Sequence, residues 1–338
     1  MEILIIMKKR INDVAPIEKA TYVRNRSIKT MKQILALEDK PESWLVETLL
    51  PAGQLTLLVA PSDVGKSIFC RQLAVTAVLK KEEFIGLKAF SIKGRIIYVS
   101  TEDMDYDWKN KIEKYPLEPH ELELIKENML VITNFGDSSS DLVKLLEEEI
   151  MHNPADLVVI DVLTDVFTGE LNSSVAIRMF LKPYKRIAEK YNTSFLFVHH
   201  VSKKGEQTAQ HSKQNVLGSQ AIEASMRSVL ELRKDTEDVD CRILKITKGN
   251  YVPERIKKQQ LKLNLNTDLI YERRFTTQIE NDKFDLLKKV IELHTQGMSS
   301  RSIETALKKE NINISKSTIS DHIKKYKNTQ PVSSDSQK

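Results

Sequence analysis

The stretch Leu55-Thr56-Leu57-Leu58-Val59-Ala60-Pro61-Ser62-Asp63-Val64-Gly65-Lys66-Ser67 decides the fold. Residues 54–59 form a short apolar run, as a buried strand requires, and an amphipathic helical pattern follows over 67–80. The eight residues from Ala60 to Ser67 meet the phosphate-loop pattern G-x-x-x-x-G-K-[ST] at three of its four fixed positions. Ala60 stands where the first glycine is usual. Such a loop presents backbone N–H groups and a helix N-terminus to a phosphate. Gly65 lets the backbone approach the phosphate, Lys66 brings a mobile positive charge, and the Ser67 hydroxyl is a Mg²⁺ ligand.

Outward from this loop, strand and helix patterns alternate. Residues 94–101, 156–161 and 193–200 read as strands, and 141–151 and 174–191 as helices. Short apolar strands alternating with helices predict an α/β fold with a mostly parallel sheet covered on both faces. Further strands are expected over 228–233, 242–247, 260–265 and 269–272, as antiparallel additions to one edge. The predicted layout is an N-terminal extension over 1–42, an ATPase domain over 43–273, a small helical domain over 282–328 and a disordered tail over 329–338. A helix is expected around 28–37.

The composition is that of a soluble globular chain: 338 residues, 41% apolar and 29% charged, with a net charge of +5. No run approaches the roughly 20 apolar residues of a spanning helix, so no membrane association and a cytoplasmic location are expected. Cys70 and Cys241 stand far apart, in no metal-like spacing, and are expected as reduced thiols. From Asn281 onward there are 11 basic and 7 acidic residues, a balance of +4. The rest of the chain, 41 against 40, is nearly neutral. A basic tail is compatible with nucleic acid.

A phosphate loop needs a second acid for the Mg²⁺ shell, and Asp161, closing the run Leu157-Val158-Val159-Ile160, is that candidate. Hydrolysis needs a base, for which Glu102 follows the strand Ile96-Ile97-Tyr98-Val99-Ser100-Thr101, with Asp103 as the neighbouring alternative. His199 and His200 end the next strand, and His200 is the preferred γ-phosphate sensor. Strand ends on the carboxyl side of a parallel sheet form one ligand crevice, so these groups are expected to converge.

In serial order, Gly65-Lys66-Ser67, Glu102, Asp161, His199-His200 and Gly218-Ser219-Gln220-Ala221-Ile222, ending at Lys248, resemble the RecA-like superfamily. Within it they resemble the RepA-like and DnaB-like hexameric replicative helicases, over roughly residues 40–272. The resemblance implies ATP bound with Mg²⁺ between subunits of a homo-oligomeric ring, a hexamer. It also implies a basic residue reaching across from the neighbouring subunit, for which Lys248 is the first candidate and Arg227 the second. Channel loops gripping single-stranded DNA are implied as well, and residues 202–215, with Lys203, Lys204 and Lys213, stand where such a loop belongs. The segment before residue 43 is shorter than the N-terminal domain of DnaB-like helicases, which makes the RepA-like form the expectation.

Beyond residue 282 the pattern is of three helices. The first has an apolar face of Phe284, Leu287, Val290 and Ile291, with Gly297 as its stop. The second carries Ile303, Ala306 and Leu307. The third is capped by Ser315 and carries Ile319, Ile323 and Tyr326. The segment resembles helix-turn-helix modules, which would turn Lys316, Ser317, Ser320 and Lys324 towards duplex DNA. Three functions are therefore expected in competition: a RepA-type DNA helicase or translocase, a DNA-binding regulator that uses ATP as an assembly switch, and a RecA-like recombinase or loader.

Overall fold

The structure, a computed structural model, describes residues 30–36, 43–136, 138–171, 173–200, 220–275, 278–310, 312 and 314–327; at 220, 278–285 and 325–327 it describes the backbone alone. The chain divides into two units, Met1–Lys40 and Pro41–Lys338. In the first, helix α1 (Met31–Leu35) is capped by Thr30 and carries Met31 and Leu35 exposed.

The second unit is built on a nine-stranded sheet. Its strands are β3 (Leu55–Ala60), β6 (Ile96–Ser100), β7 (Met129–Ile132), β8 (Leu157–Asp161), β9 (Ser194–His200), β10 (Ser228–Lys234), β11 (Cys241–Gly249), β12 (Gln260–Leu265) and β13 (Tyr271–Arg274). They lie in the order β13-β12-β11-β10-β3-β9-β8-β6-β7. From β10 to β7 every pairing is parallel, and β11, β12 and β13 add antiparallel beyond β10. Two small pairs, β1 (Trp44–Val46) with β2 (Leu50–Pro51) and β4 (Glu83–Phe84) with β5 (Leu87–Lys88), stand beside it.

Every residue of β3, β6 and β8 is buried, because helices cover both faces of the sheet. Alternate residues therefore belong to two cores. Leu58, Tyr98, Val159 and Val198 pack against α2 (Lys66–Val78), which contributes Phe69, Leu73 and Ala77. Leu57, Val99, Ile160 and Phe197 pack against α5 (Ser139–His152) and α7 (Ser174–Tyr191), through Leu146, Leu181 and Tyr184 among others.

One expectation is corrected, and elements that the sequence did not disclose are added. Residues 228–234 pair parallel with β3, so the antiparallel extension starts only at β11. Between β6 and β7 the chain forms α3 (Asp105–Glu113) and α4 (Pro119–Asn128), which the periodicity missed because each buries a single residue, Trp108 and Ile125. The strand β7 was also missed, being four residues long and only half-buried at the sheet edge.

After β13 come α10 (Gln278–Thr295), α11 (Ser300–Lys309) and α12 (Lys316–Lys327); the short α6 (Leu163–Val166), α8 (Gln220–Ser225) and α9 (Glu254–Lys257) lie earlier in the chain. Val290, Ile303, Leu307, Ile319 and Ile323 form a small core of their own, with Leu286 and Leu293 packed against it. The inward face of α10 is thus Leu286–Val290–Leu293. Of the expected stripe through Phe284, Leu287, Val290 and Ile291, the Phe284 side chain lies outside the described residues, Val290 is in the core, and Leu287 and Ile291 give way to Leu286 and Leu293. Gly297, at φ 88°, ends α10: its N–H donates to His294 O and that of Met298 to Leu293 O, the paired bonds of a Schellman stop. Ser299 and Ser315 cap α11 and α12 by accepting from the Ser302 and Thr318 N–H groups.

Candidate nucleotide site at the carboxyl edge of the sheet

β3 ends at Ala60 and α2 begins at Lys66, so the loop between them sits at the carboxyl edge of the sheet. Gly65 forms the helix N-cap in the left-handed region, at φ 98°, where a side chain would be strained. A Cβ there would also stand 2.2 Å from Tyr271 Oη. Among the described residues no acceptor takes the N–H of Val64, Gly65, Lys66 or Ser67. An array of unpaired donors at the start of a 13-residue helix suits an anion. Lys66 is buried and donates to Pro61 O at 2.9 Å. Burial lowers its pKa below the ordinary lysine value, and the charges of Asp161 and Glu102 oppose that shift.

The neighbouring strand ends carry the remaining groups. Ala60 pairs with His200, and Ser100 with Asp161. Asp161 is buried. Its Oδ2 accepts from Tyr98 Oη at 2.7 Å, and its buried Oδ1 has no hydrogen-bond partner among the described residues. That leaves one carboxylate oxygen of the right chemistry for a hard cation, and the Ser67 hydroxyl at the start of α2 is a second candidate oxygen. Among the described residues no cluster of three or more His, Cys, Asp or Glu forms a ready cage. Mg²⁺ is held by one or two protein oxygens together with substrate phosphates, so these are the oxygens that could hold it.

Glu102 lies just past β6, its side chain 57% exposed, with Oε1 3.7 Å from His200 Nε2. Asp103 instead pairs with Lys111. The geometry thus separates the two acids: one is engaged in an ion pair and the other faces His200 at the edge. His199 points into the interior, fully buried, whereas His200 is partly exposed.

Arg227 and Lys248 lie at the other edge. The Arg227 N–H donates to Leu55 O, and Lys248 pairs with Val229, which is itself in register with Leu57. Along β3, Leu55 stands about 17 Å and Leu57 about 10 Å from Ala60, at ~3.3 Å per residue, and Lys248 is a further two strands to the side. Neither side chain is placed beside its own chain's phosphate loop. Arg227 Nε donates to Gln54 Oε1 at 3.3 Å, and Lys248 Nζ to Glu223 O at 2.6 Å, at the end of α8. Lys203, Lys204 and Lys213 fall outside the described residues. On α12, Lys316, Ser317 and Lys324 are exposed, but Ser320 donates to Ser300 Oγ at 3.2 Å on α11 and so is turned partly inward.

Sequence reasoning missed Tyr98, Gln72, Arg242 and Tyr271. The phenol within the apolar run 96–99 was a signal, since a buried hydroxyl needs an acceptor. Nothing in the sequence joins Tyr271 to a loop some two hundred residues earlier.

The parallel sheet, the loop and the acids at one edge define a RecA-like P-loop ATPase core. The chain belongs to the AAA_25 family of AAA domains, whose profile matches residues 24–206. It is also similar to the DNA repair protein RAD51 homolog 2 of Arabidopsis thaliana, at 30% identity over 132 residues, covering 36% of this chain and 33% of that protein. The chain therefore spans about a third of the relative's length. Among the described residues no helix is long and apolar enough to cross a membrane.

Proposed function

We propose that the protein is an ATP-driven, ring-forming DNA helicase or translocase of RepA type. The observation that carries the reading is the convergence of Lys66, Asp161, Glu102 and His200 on adjacent strand ends beside the phosphate loop. The Val64–Ser67 N–H groups and Lys66 hold the phosphates of ATP, and Ser67 Oγ and Asp161 Oδ1 hold Mg²⁺. When bound, the metal neutralises charge on the phosphate oxygens. Glu102 accepts the proton of the attacking water, and His200, within reach of Glu102, registers the state of the γ-phosphate.

The positions of Lys248 and Arg227, remote from their own loop, support a role towards a neighbouring subunit in a homo-oligomer, here taken as a hexamer. Lys203, Lys204 and Lys213 would grip single-stranded DNA in the ring channel. Residues 282–328 would bind duplex DNA through Lys316, Ser317 and Lys324, with Ser320 in a supporting position. The similarity to a DNA repair protein favours a second reading, a RecA-like recombinase or loader that binds DNA without unwinding it.

The test is ATP turnover with and without single-stranded DNA, together with strand separation on a forked duplex, for the wild type and Glu102→Gln. Stimulated turnover with unwinding, both lost in the variant, supports the helicase reading. Stimulated turnover without unwinding selects the recombinase or loader. Turnover indifferent to single-stranded DNA, with tight duplex binding, selects an ATP-switched regulator.

A further inference from the structure

We infer that the Tyr271 hydroxyl and the Arg242 guanidinium are positioning groups that set the phosphate loop from behind and thereby govern nucleotide affinity. The inference rests on the reading of residues 60–67 as the ATP site.

Both groups act on one atom. Tyr271 Oη donates to Val64 O at 2.9 Å, and Arg242 Nε donates to the same oxygen at 3.0 Å. Val64 O and the N–H of Gly65 belong to one planar trans peptide, so they point in opposite directions. Drawing the carbonyl towards β11 and β13 turns the Gly65 N–H away from them. That N–H is one of the unpaired donors of the loop. A loop whose donors are held in place before binding spends less free energy on ordering itself.

The clamp is itself held firmly. The Gln72 carboxamide, on α2, brackets the Tyr271 backbone: Nε2 donates to Tyr271 O at 2.8 Å and Oε1 accepts from Tyr271 N–H at 2.7 Å. The ring packs near Phe69, with centroids 6.2 Å apart. Arg242 Nη1 is fixed by Val239 O and Cys241 O. Burial pushes the Tyr271 phenol up to about 12, so it remains a donor at any physiological pH. The 2.2 Å gap between the hydroxyl and a notional Gly65 Cβ shows how closely it seats against the loop.

A buried tyrosine placed only for packing would be indifferent to loss of its hydroxyl in nucleotide binding. The experiment measures Mg-ATP affinity, KM, kcat and Tm on the full chain for Tyr271→Phe, Arg242→Gln, the double variant and Lys66→Ala. Each single change is expected to weaken affinity and raise KM about three- to tenfold, the equivalent of one hydrogen bond. The kcat should stay within about twofold, because the hydrolytic groups are untouched. The double variant should lose more than the product of the singles, since each donor covers for the other on one carbonyl. Wild-type affinity in Tyr271→Phe, or strictly multiplicative losses, would overturn the inference while leaving the ATP site standing. Nucleotide binding that survives Lys66→Ala unchanged, or is absent from the wild type, overturns the ATP-site reading and the inference with it.

Discussion

Tyr98 Oη donates a 2.7 Å hydrogen bond to Asp161 Oδ2, from one parallel strand to its neighbour. The bond occupies one oxygen of the carboxylate and leaves Oδ1 as the oxygen with no hydrogen-bond partner among the described residues. Tyr98→Phe keeps the ring, which lies 4.5 Å from Trp108 by centroid, and removes only this tether. Groups that orient a metal ligand typically contribute tenfold or more to metal affinity, so the Mg²⁺ concentration for half-maximal ATP turnover should rise about tenfold. An unchanged Mg²⁺ titration would show that Asp161 needs no such support.

If Glu102 is the general base proposed above, Glu102→Gln should lower kcat by a factor of about 10² to 10⁴, with nucleotide affinity preserved. Asp103→Asn breaks the half-exposed pair with Lys111 and should cost about 1 kcal/mol of stability or less, with turnover retained. Single-turnover hydrolysis beside thermal melts separates the two; equal kinetic losses would return the choice between the acids to open.

Lys248 donates to a carbonyl at the end of α8, so loss of that contact in Lys248→Ala should destabilise by about 1 kcal/mol. If it also serves a neighbour's site, mixing Lys248→Ala with Lys66→Ala should restore part of the activity that each lacks by itself. Mixtures no more active than their components would place the lysine in a purely structural role.

Alkaline pH should destabilise the fold through its buried phenols. An unfolded tyrosine titrates near 10.0, whereas burial, aided by Asp161, raises Tyr98 well above this, and burial raises Tyr271 to about 12. The native state then keeps protons that the unfolded chain releases. This stability is complete below pH 10 and is lost as pH climbs through the folded values. Phenolate absorbance followed beside circular dichroism should show these rings ionising with unfolding, and Tyr271→Phe should flatten the decline. Lys66, shifted downward, has the opposite sign and gains the fold a little on the same side.

Ile319→Ala should open the small C-terminal core, which rests on five buried side chains, at a cost of about 2–4 kcal/mol. If these helices bind duplex DNA as proposed, that binding should fall while basal ATP turnover is retained. Gly297→Ala meets nothing within 4 Å, so its cost is that of the left-handed backbone alone, about 1 kcal/mol. Loss of basal turnover in Ile319→Ala would mean that the ATPase core depends on this module.

What the sequence disclosed followed burial. β3, β6 and β8 are buried along their whole length and β9 except at His200, so they read as apolar runs, and their ends placed Lys66, Asp161, Glu102 and His200 together. α3 and α4 lie on the surface and bury one side chain each, which leaves no period to detect. The direction of β10 depends on how the chain crosses from β9, and residues 228–234 carry no mark of it. The stripe of α10 was misplaced because its two apolar rows have the same helical spacing.

The contact between Tyr271 and the loop has a consequence for how the protein is made. Its two ends are separated by 207 positions, and the profile match stops at residue 206, well short of Tyr271. At ~5–20 residues per second, a ribosome needs about 10–40 s to pass from Gly65 to Tyr271. For that interval the emerging chain carries its nucleotide motif without the strand that fixes it. Chains stalled before Tyr271 should accordingly capture ATP poorly, and those released beyond it well, making nucleotide retention a late marker of completed synthesis.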